Sequence, residues 1–208
     1  MNLGTIGLLL GASFASGINL YATVATLGLL HRFEVIALPP SLAVLAHPVV
    51  LGLAVAFYLI EFVADKIPAV DHAWDAIHTF IRPPAAALLA YAAVAPVDGT
   101  TAIPEVWRIG AALVAGSIAL TAHSTKAATR GAVNASPEPF SNVAVSLAED
   151  VLAVGVSWLA VTHPGIAIVV VLVLLAISIV LLVVLFRFAR AVWRRILGRG
   201  GNEKPAPA

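Results

Sequence analysis

The chain contains no cysteine. Disulfides, iron–sulfur clusters and thiolate metal sites are thereby excluded. Charge is scarce as well: 11% of the 208 residues are Asp, Glu, Lys or Arg, against about a quarter in an ordinary soluble domain. The opening "MNLGTIGLLLGASF" lacks the basic stretch that precedes a cleaved signal sequence, so its apolar segment reads as retained. HExxH is absent, as are the spaced Asp and Gly of an alcohol phosphotransferase and the nucleophile context of an intramembrane serine protease or a transpeptidase. Basic residues cluster only in "RFARAVWRRILGRG", which reads as a topology anchor touching anionic lipid, and nucleic-acid binding has no support.

What the chain has in abundance is apolar sequence: 61% of residues are hydrophobic and the mean hydropathy is +0.99. The expected fold is an all-α, polytopic transmembrane helix bundle occupying residues 1–197, followed by a disordered cytoplasmic tail at 198–208. A bilayer core takes about 20 apolar residues as helix. Six segments qualify: Leu3–Leu30, with room to tilt or to break near Gly17; Pro48–Asp65; the short Pro83–Pro96; Trp107–Thr125; Ser141–Val161; and Pro164–Phe186. Val35–Ala46 is short and broken by proline, as an interfacial or re-entrant piece would be. With six spans and the N-terminus inside, ten of the twelve basic residues are cytoplasmic and only Arg32 and Arg108 lie outside. If the third segment does not cross, the best alternative puts the N-terminus outside and the division becomes nine to three. Both versions put the C-terminus in the cytoplasm.

An internal repeat is hinted at. Asn19 and Asn142 each precede a hydroxyl residue by four, Thr23 and Ser146, and each segment leads to a His-Pro pair, His47-Pro48 and His163-Pro164. Two three-span halves would be inverted relative to each other, a common transporter plan.

Polar residues within the apolar segments carry the functional reading. Ser16, Asn19, Thr23 and Thr26 share one helix face, which serves as a packing seam for all but Asn19. Glu61 and Asp65 stand one turn apart and Lys66 follows. Asp71, Asp75 and His78 share a face of what reads as an amphipathic surface helix, anchored by Trp74 and Phe80; they are also weak candidates for a divalent metal site. His123, Lys126, Arg130 and Asn134 line one face of the fourth span, and Pro137 and Pro139 then stop the helix. Asn142, Ser146, Glu149 and Asp150 form a stripe reaching mid-membrane. A carboxylate at the bilayer centre costs at least about 2.5 kcal/mol, and intramembrane acids mark ion pathways and relays. Adjacent Glu149 and Asp150 therefore need cations or a proton nearby, with Lys126, Arg130 and Lys66 in reach.

The strings "EFVADKIPAVDHAWDAIHTFIRPPAAALLA", "AHSTKAATRGAVNASPEPFSN" and "SLAED" resemble a family of small bacterial membrane proteins known as domain of unknown function forty-one twenty-six. The resemblance runs from about Gly11 to Val161. It implies a polytopic, multi-pass protein of a bacterial inner (plasma) membrane and no particular activity.

Three functions compete. A transporter or channel for a small ion or solute would engage Glu149, Asp150 and Glu61 with a cation or protons, or Lys126, Arg130 and the 134–142 loop amides with an anion. The excess of deep acids favours a cation or proton-coupled process. An enzyme acting on a lipid phosphate would use the acids for metal or as general base. A lipid-handling or assembly protein would use the pair only for packing. No cofactor is expected beyond a bound cation; the expected partners are lipid, a small ion or solute, and a second copy of the chain.

Overall fold

The computed structural model describes residues 2–95, 103–135 and 140–199, and it is all-α. Helices α1 (Leu3–Ile18) and α2 (Leu20–Arg32) are separated by one residue. A 3₁₀ helix (Pro40–Ala46) leads into α3 (Pro48–Ala64), then come α4 (Pro68–His78), α5 (Arg82–Ala93), α6 (Glu105–Asn134), α7 (Phe140–Thr162) and α8 (Pro164–Arg199). Proline opens α3, α4 and α8, where its missing N–H costs nothing. Both His-Pro pairs thus start helices, and His47 also caps α3 through its ring nitrogen.

Helices α6, α7 and α8 are each long and apolar enough to cross a bilayer. The 3₁₀ helix and α3 together pass the same test, although they meet at a 62° bend. The third apolar segment behaves differently. Its helix α5 has 12 residues and is about 18 Å long, well short of a hydrocarbon core of about 30 Å.

The first segment is not one rod. Asn19 adopts an extended conformation (φ −148°, ψ 102°) and the chain reverses there. At one end of the molecule, Leu8 of α1 and Leu27 of α2 join a single apolar cluster with Ala93, Leu42 and Leu45. At the other end, the last turn of α1 packs on α6, and Gly17 lies so close that a Cβ would strike the Ala119 carbonyl. Gly7 meets Pro164 in the same backbone-close way, so α1 begins where α7 ends and α8 begins. Helices α1 and α2 therefore form a V whose two mouths share one face of the bundle and whose tip is Gly17–Asn19. The expected seam of Ser16, Asn19, Thr23 and Thr26 is divided by this break and is no continuous face. The repeat partners also differ: Asn19 is extended, whereas Asn142 is helical within the first turn of α7.

Helix α4 corrects a second expectation. Read as a surface helix with solvated acids, it instead buries Asp71 (0% exposed), Asp75 (5%) and His78 (2%). Phe80 is exposed as an anchor would be, but Trp74 stacks on the His78 ring, centroids 4.6 Å apart. The polar face turns inward because α5 and α6 supply buried cations opposite it. The tail expected at 198–208 lies outside the described residues from 200 onward, as do residues 136–139 of the loop after α6.

Candidate functional site

The tip of the V sits in a buried charge network assembled from α3, α4, α5, α6 and α7. Helix α6 contributes its spine. Residues His123, Lys126 and Arg130 recur at steps of three and four, which puts all three side chains on one face. Lys126 donates to Asp65 Oδ2 (2.8 Å), to Glu61 Oε1 (3.3 Å) and to the Ile18 carbonyl (3.3 Å). Arg130 donates to Asp71 Oδ1 (3.1 Å), to the Asn142 carbonyl (2.9 Å) and to the Asp65 carbonyl. Asn134 adds a bond to the second oxygen of Asp71 (2.8 Å).

The decisive residue is Arg82, which the sequence marked only as one of the ten cytoplasmic basic residues. Its side chain is fully buried. It donates to Glu61 Oε1 (2.5 Å), to the Gly17 carbonyl (3.1 Å) and to His123 Nδ1 (2.9 Å), and it approaches Asp75 to 3.7 Å. The only sequence signal was its place just before "PPAAALLA", which fits a topology residue equally well.

Helix ends explain why the tip belongs here. The last carbonyls of α1 lack intrahelical partners and carry the negative end of its dipole. Gly17 gives its carbonyl to Arg82 and Ile18 gives its carbonyl to Lys126. The positive N-terminus of α2 faces the opposite charge. Asn19 Oδ1 accepts from the Ala22 N–H (2.9 Å), while its amide donates to Asp150 Oδ1 (3.1 Å). One asparagine thus caps α2 and ties it to α7. Broken helices that turn their ends on charged groups are the usual polar sites inside membranes.

Hydrogen bonds make His123 neutral, and burial favours a neutral His78. Arginine only donates, so His123 Nδ1 must accept; Nε2 then donates to the Asp75 carbonyl (3.0 Å) and lies 2.9 Å from Thr79 Oγ1. His78 Nδ1 donates to the Trp74 carbonyl (2.8 Å) and Nε2 lies 3.0 Å from the Tyr21 hydroxyl, which can donate or accept; burial pulls this imidazole below its usual pKa and favours the neutral ring.

Glu149 and Asp150, adjacent in sequence, diverge. Asp150 turns to Asn19; Glu149 turns to α6, with Oε2 3.8 Å from Lys126 Nζ and 3.9 Å from Arg130 Nε. Lys66 is at the rim. Its Nζ lies over the Phe62 ring, donates to the Phe62 carbonyl (2.8 Å) and is 3.4 Å from Ser146 Oγ. Asn142 donates to the Asp65 carbonyl (3.3 Å). The structure therefore gathers Asn19, Glu61, Asp65, Lys66, His123, Lys126, Arg130, Asn134, Asn142, Ser146, Glu149 and Asp150 into one site. It adds Asp71, Asp75 and His78 as members of the network, along with Arg82, Tyr21 and Thr79. No group of three or more His, Asp or Glu among the described residues is arranged to hold a metal ion. Asp71 is held by Arg130 and Asn134, and His78 by Tyr21, so the trio does not converge.

Three apolar helices of spanning length, packed around buried ion pairs, define a helical membrane protein. Residues 6–184 match the family described as Domain of unknown function (DUF4126), and the chain belongs to it. No curated protein and no solved structure matches the chain.

Proposed function

We propose that this protein is a transporter or channel for a small ion or solute in the bacterial plasma membrane, driven by a cation or by protons. The observation that carries the reading is an excess of negative charge and acceptor atoms at the tip of the hairpin. Six carboxyl groups (Glu61, Asp65, Asp71, Asp75, Glu149 and Asp150) are buried there, with three buried cations (Arg82, Lys126 and Arg130) and Lys66 at the rim. Buried oxygens of Glu61, Asp65, Asp75, Glu149, Asp150, Asn134 and Asn142 have no hydrogen-bond partner. Such a site attracts positive charge, not anions. A greasy bundle has no need of it, since replacing buried ion pairs by apolar residues is often neutral or stabilising.

The topology we favour modifies the six-span, inverted-repeat plan. The hairpin enters and leaves on the outer face, α3, α6, α7 and α8 connect the two faces, α4 and α5 together return the chain from the network at the tip to the outer side, and α8 ends in the cytoplasm. Both mouths of the V are then outside. Among the basic residues of the described helices, Arg32 and Arg108 alone are outside, so the positive-inside rule is kept. The charge network faces the cytoplasmic half, with Lys66 and Ser146 at its rim.

Ion flux in proteoliposomes tests the reading. Vesicles loaded with pH- and cation-sensitive dyes are given a membrane potential, and wild type is compared with Glu149→Gln and Asp150→Asn. Flux in wild type that both variants lose is the expected result. No flux under any gradient would retire transport in favour of a lipid-handling or assembly role.

A further inference from the structure

The charges of the network do not balance. Six carboxylates against four cations, Lys66 included, leave an excess of two negative charges in a low-dielectric interior. With His123 neutral by its hydrogen bonds and His78 kept neutral by burial, no further cation is available among the described residues. The hydrogen bonds identify which two carboxyl groups are in excess. Glu61 accepts from Arg82 and Lys126, Asp65 from Lys126, Asp71 from Arg130 and Asn134, and Asp150 from Asn19. Among the described residues, the Asp75 and Glu149 carboxyl groups accept no side-chain or backbone hydrogen bond. Their nearest cationic nitrogens are 3.7 Å and 3.8 Å away, beyond hydrogen-bond reach. Asp75 Oδ1 and Glu149 Oε2 are both buried and unpartnered, on residues 5% and 9% exposed.

We infer that the ion this site handles is the proton, and that Asp75 and Glu149 each hold one in the resting network. The assignment to coupling rests on the transport reading above. With those two groups neutral, four carboxylates face four cations and the network is balanced. Asp75 looks toward Arg82 on α5, Lys126 and His123 on α6, Asp71 on its own helix and Asp65 at the end of α3. Glu149 looks toward Lys126 and Arg130 on α6, Asp65 at the end of α3, Asp75 on α4 and its neighbour Asp150. Lys126 stands between the two sites, bonded to neither. Loss of the Glu149 proton would draw Lys126 and Arg130 toward α7 and away from Asp65 and the tip of the V. That gives the proton a way to act on the hairpin. Burial pushes the Asp75 carboxyl, on α4 outside the spanning helices, up to about 6, so this site is filled below about pH 6 and empties above it.

Infrared spectroscopy of the full chain in liposomes, begun near pH 5 and titrated upward, tests it. Wild type should show two protonated-carboxyl C=O bands. Glu149→Gln should remove one and Asp75→Asn the other, whereas Asp65→Asn and Asp71→Asn remove neither. Because Gln and Asn mimic the neutral acids, both variants should stay folded and melt close to wild type. Three results would each overturn the inference: no protonated carboxyl in wild type, bands that follow Asp65 or Asp150, or unfolding of Glu149→Gln or Asp75→Asn. Two bands that behave as expected, in vesicles without flux, would keep the proton sites and retire transport and coupling. Flux without the bands would keep transport and retire the proton assignment.

Discussion

Replacing Arg82 by Met is the sharpest test of the network. The guanidinium has no exposed surface and makes three hydrogen bonds, to Glu61, the Gly17 carbonyl and His123. Methionine is similar in length and apolar, so the main loss is the charge and its donors. Removing one partner of a buried ion pair costs about 3–5 kcal/mol, because the other charge is left behind. Here Lys126 still reaches Glu61 at 3.3 Å, which moderates that term. The Gly17 carbonyl and His123 Nδ1 are then orphaned, at about 1–3 kcal/mol each for buried acceptors. The terms share partners and do not add, so about 3–5 kcal/mol is the expected total. An arginine at the headgroups, where the sequence alone would put it, would cost within about 0.5 kcal/mol. The assay is reversible unfolding in mixed micelles, with Glu61→Gln and the double variant completing a cycle. The double variant should be less destabilised than the sum of the singles by at least about 1 kcal/mol. A loss below about 1 kcal/mol for Arg82→Met alone, or strict additivity in the cycle, would refute the buried fork.

Three further outcomes are expected. Gly17→Leu should destabilise by about 1–3 kcal/mol and alter the tip, because the Ala119 carbonyl and Ala122 leave no space for a side chain; a melting curve matching wild type would count against the close crossing. The cysteine-free background makes topology directly measurable: single cysteines replacing Leu3 and Arg32 should label from the same side of the membrane, whereas labelling from opposite sides would mean that the first segment crosses. Asp75 has a folded-state value near 6, above its ordinary 3.8, so folding favours its protonated form. Its contribution to stability is therefore full below about pH 4 and is lost as pH rises through 6. Melting temperature against pH should show this decline in wild type and lose it in Asp75→Asn; an unchanged profile in that variant would contradict the assignment.

Much of the site was legible because burying charge is so costly. Glu61, Glu149 and Asp150 interrupt apolar segments, and helical spacing alone puts Lys126 and Arg130, just past the fourth segment, on one face. Arg82, Asp71, Asp75 and His78 were harder to place. They flank proline-opened helices near segment ends, where a residue in water and a residue in a buried pair have the same local sequence. Only the packing of α4 and α5 against α6 turns them inward, by bringing Arg130 to Asp71 and Arg82 to Glu61. Asn19 is the intermediate case. Its chemistry as an amide in an apolar stretch was visible, and a break nearby was foreseen at Gly17. The reversal that makes a hairpin was not, because local sequence sets a helix end while its exit direction depends on neighbours. Composition and the long unbroken apolar runs determined that this chain lives in a membrane as helices, since in lipid only helices and closed barrels satisfy the backbone and a barrel strand would alternate apolar with polar residues. Tertiary structure decided that the first of those helices turns back at Asn19, and that six acids from three helices share three buried cations at the turn.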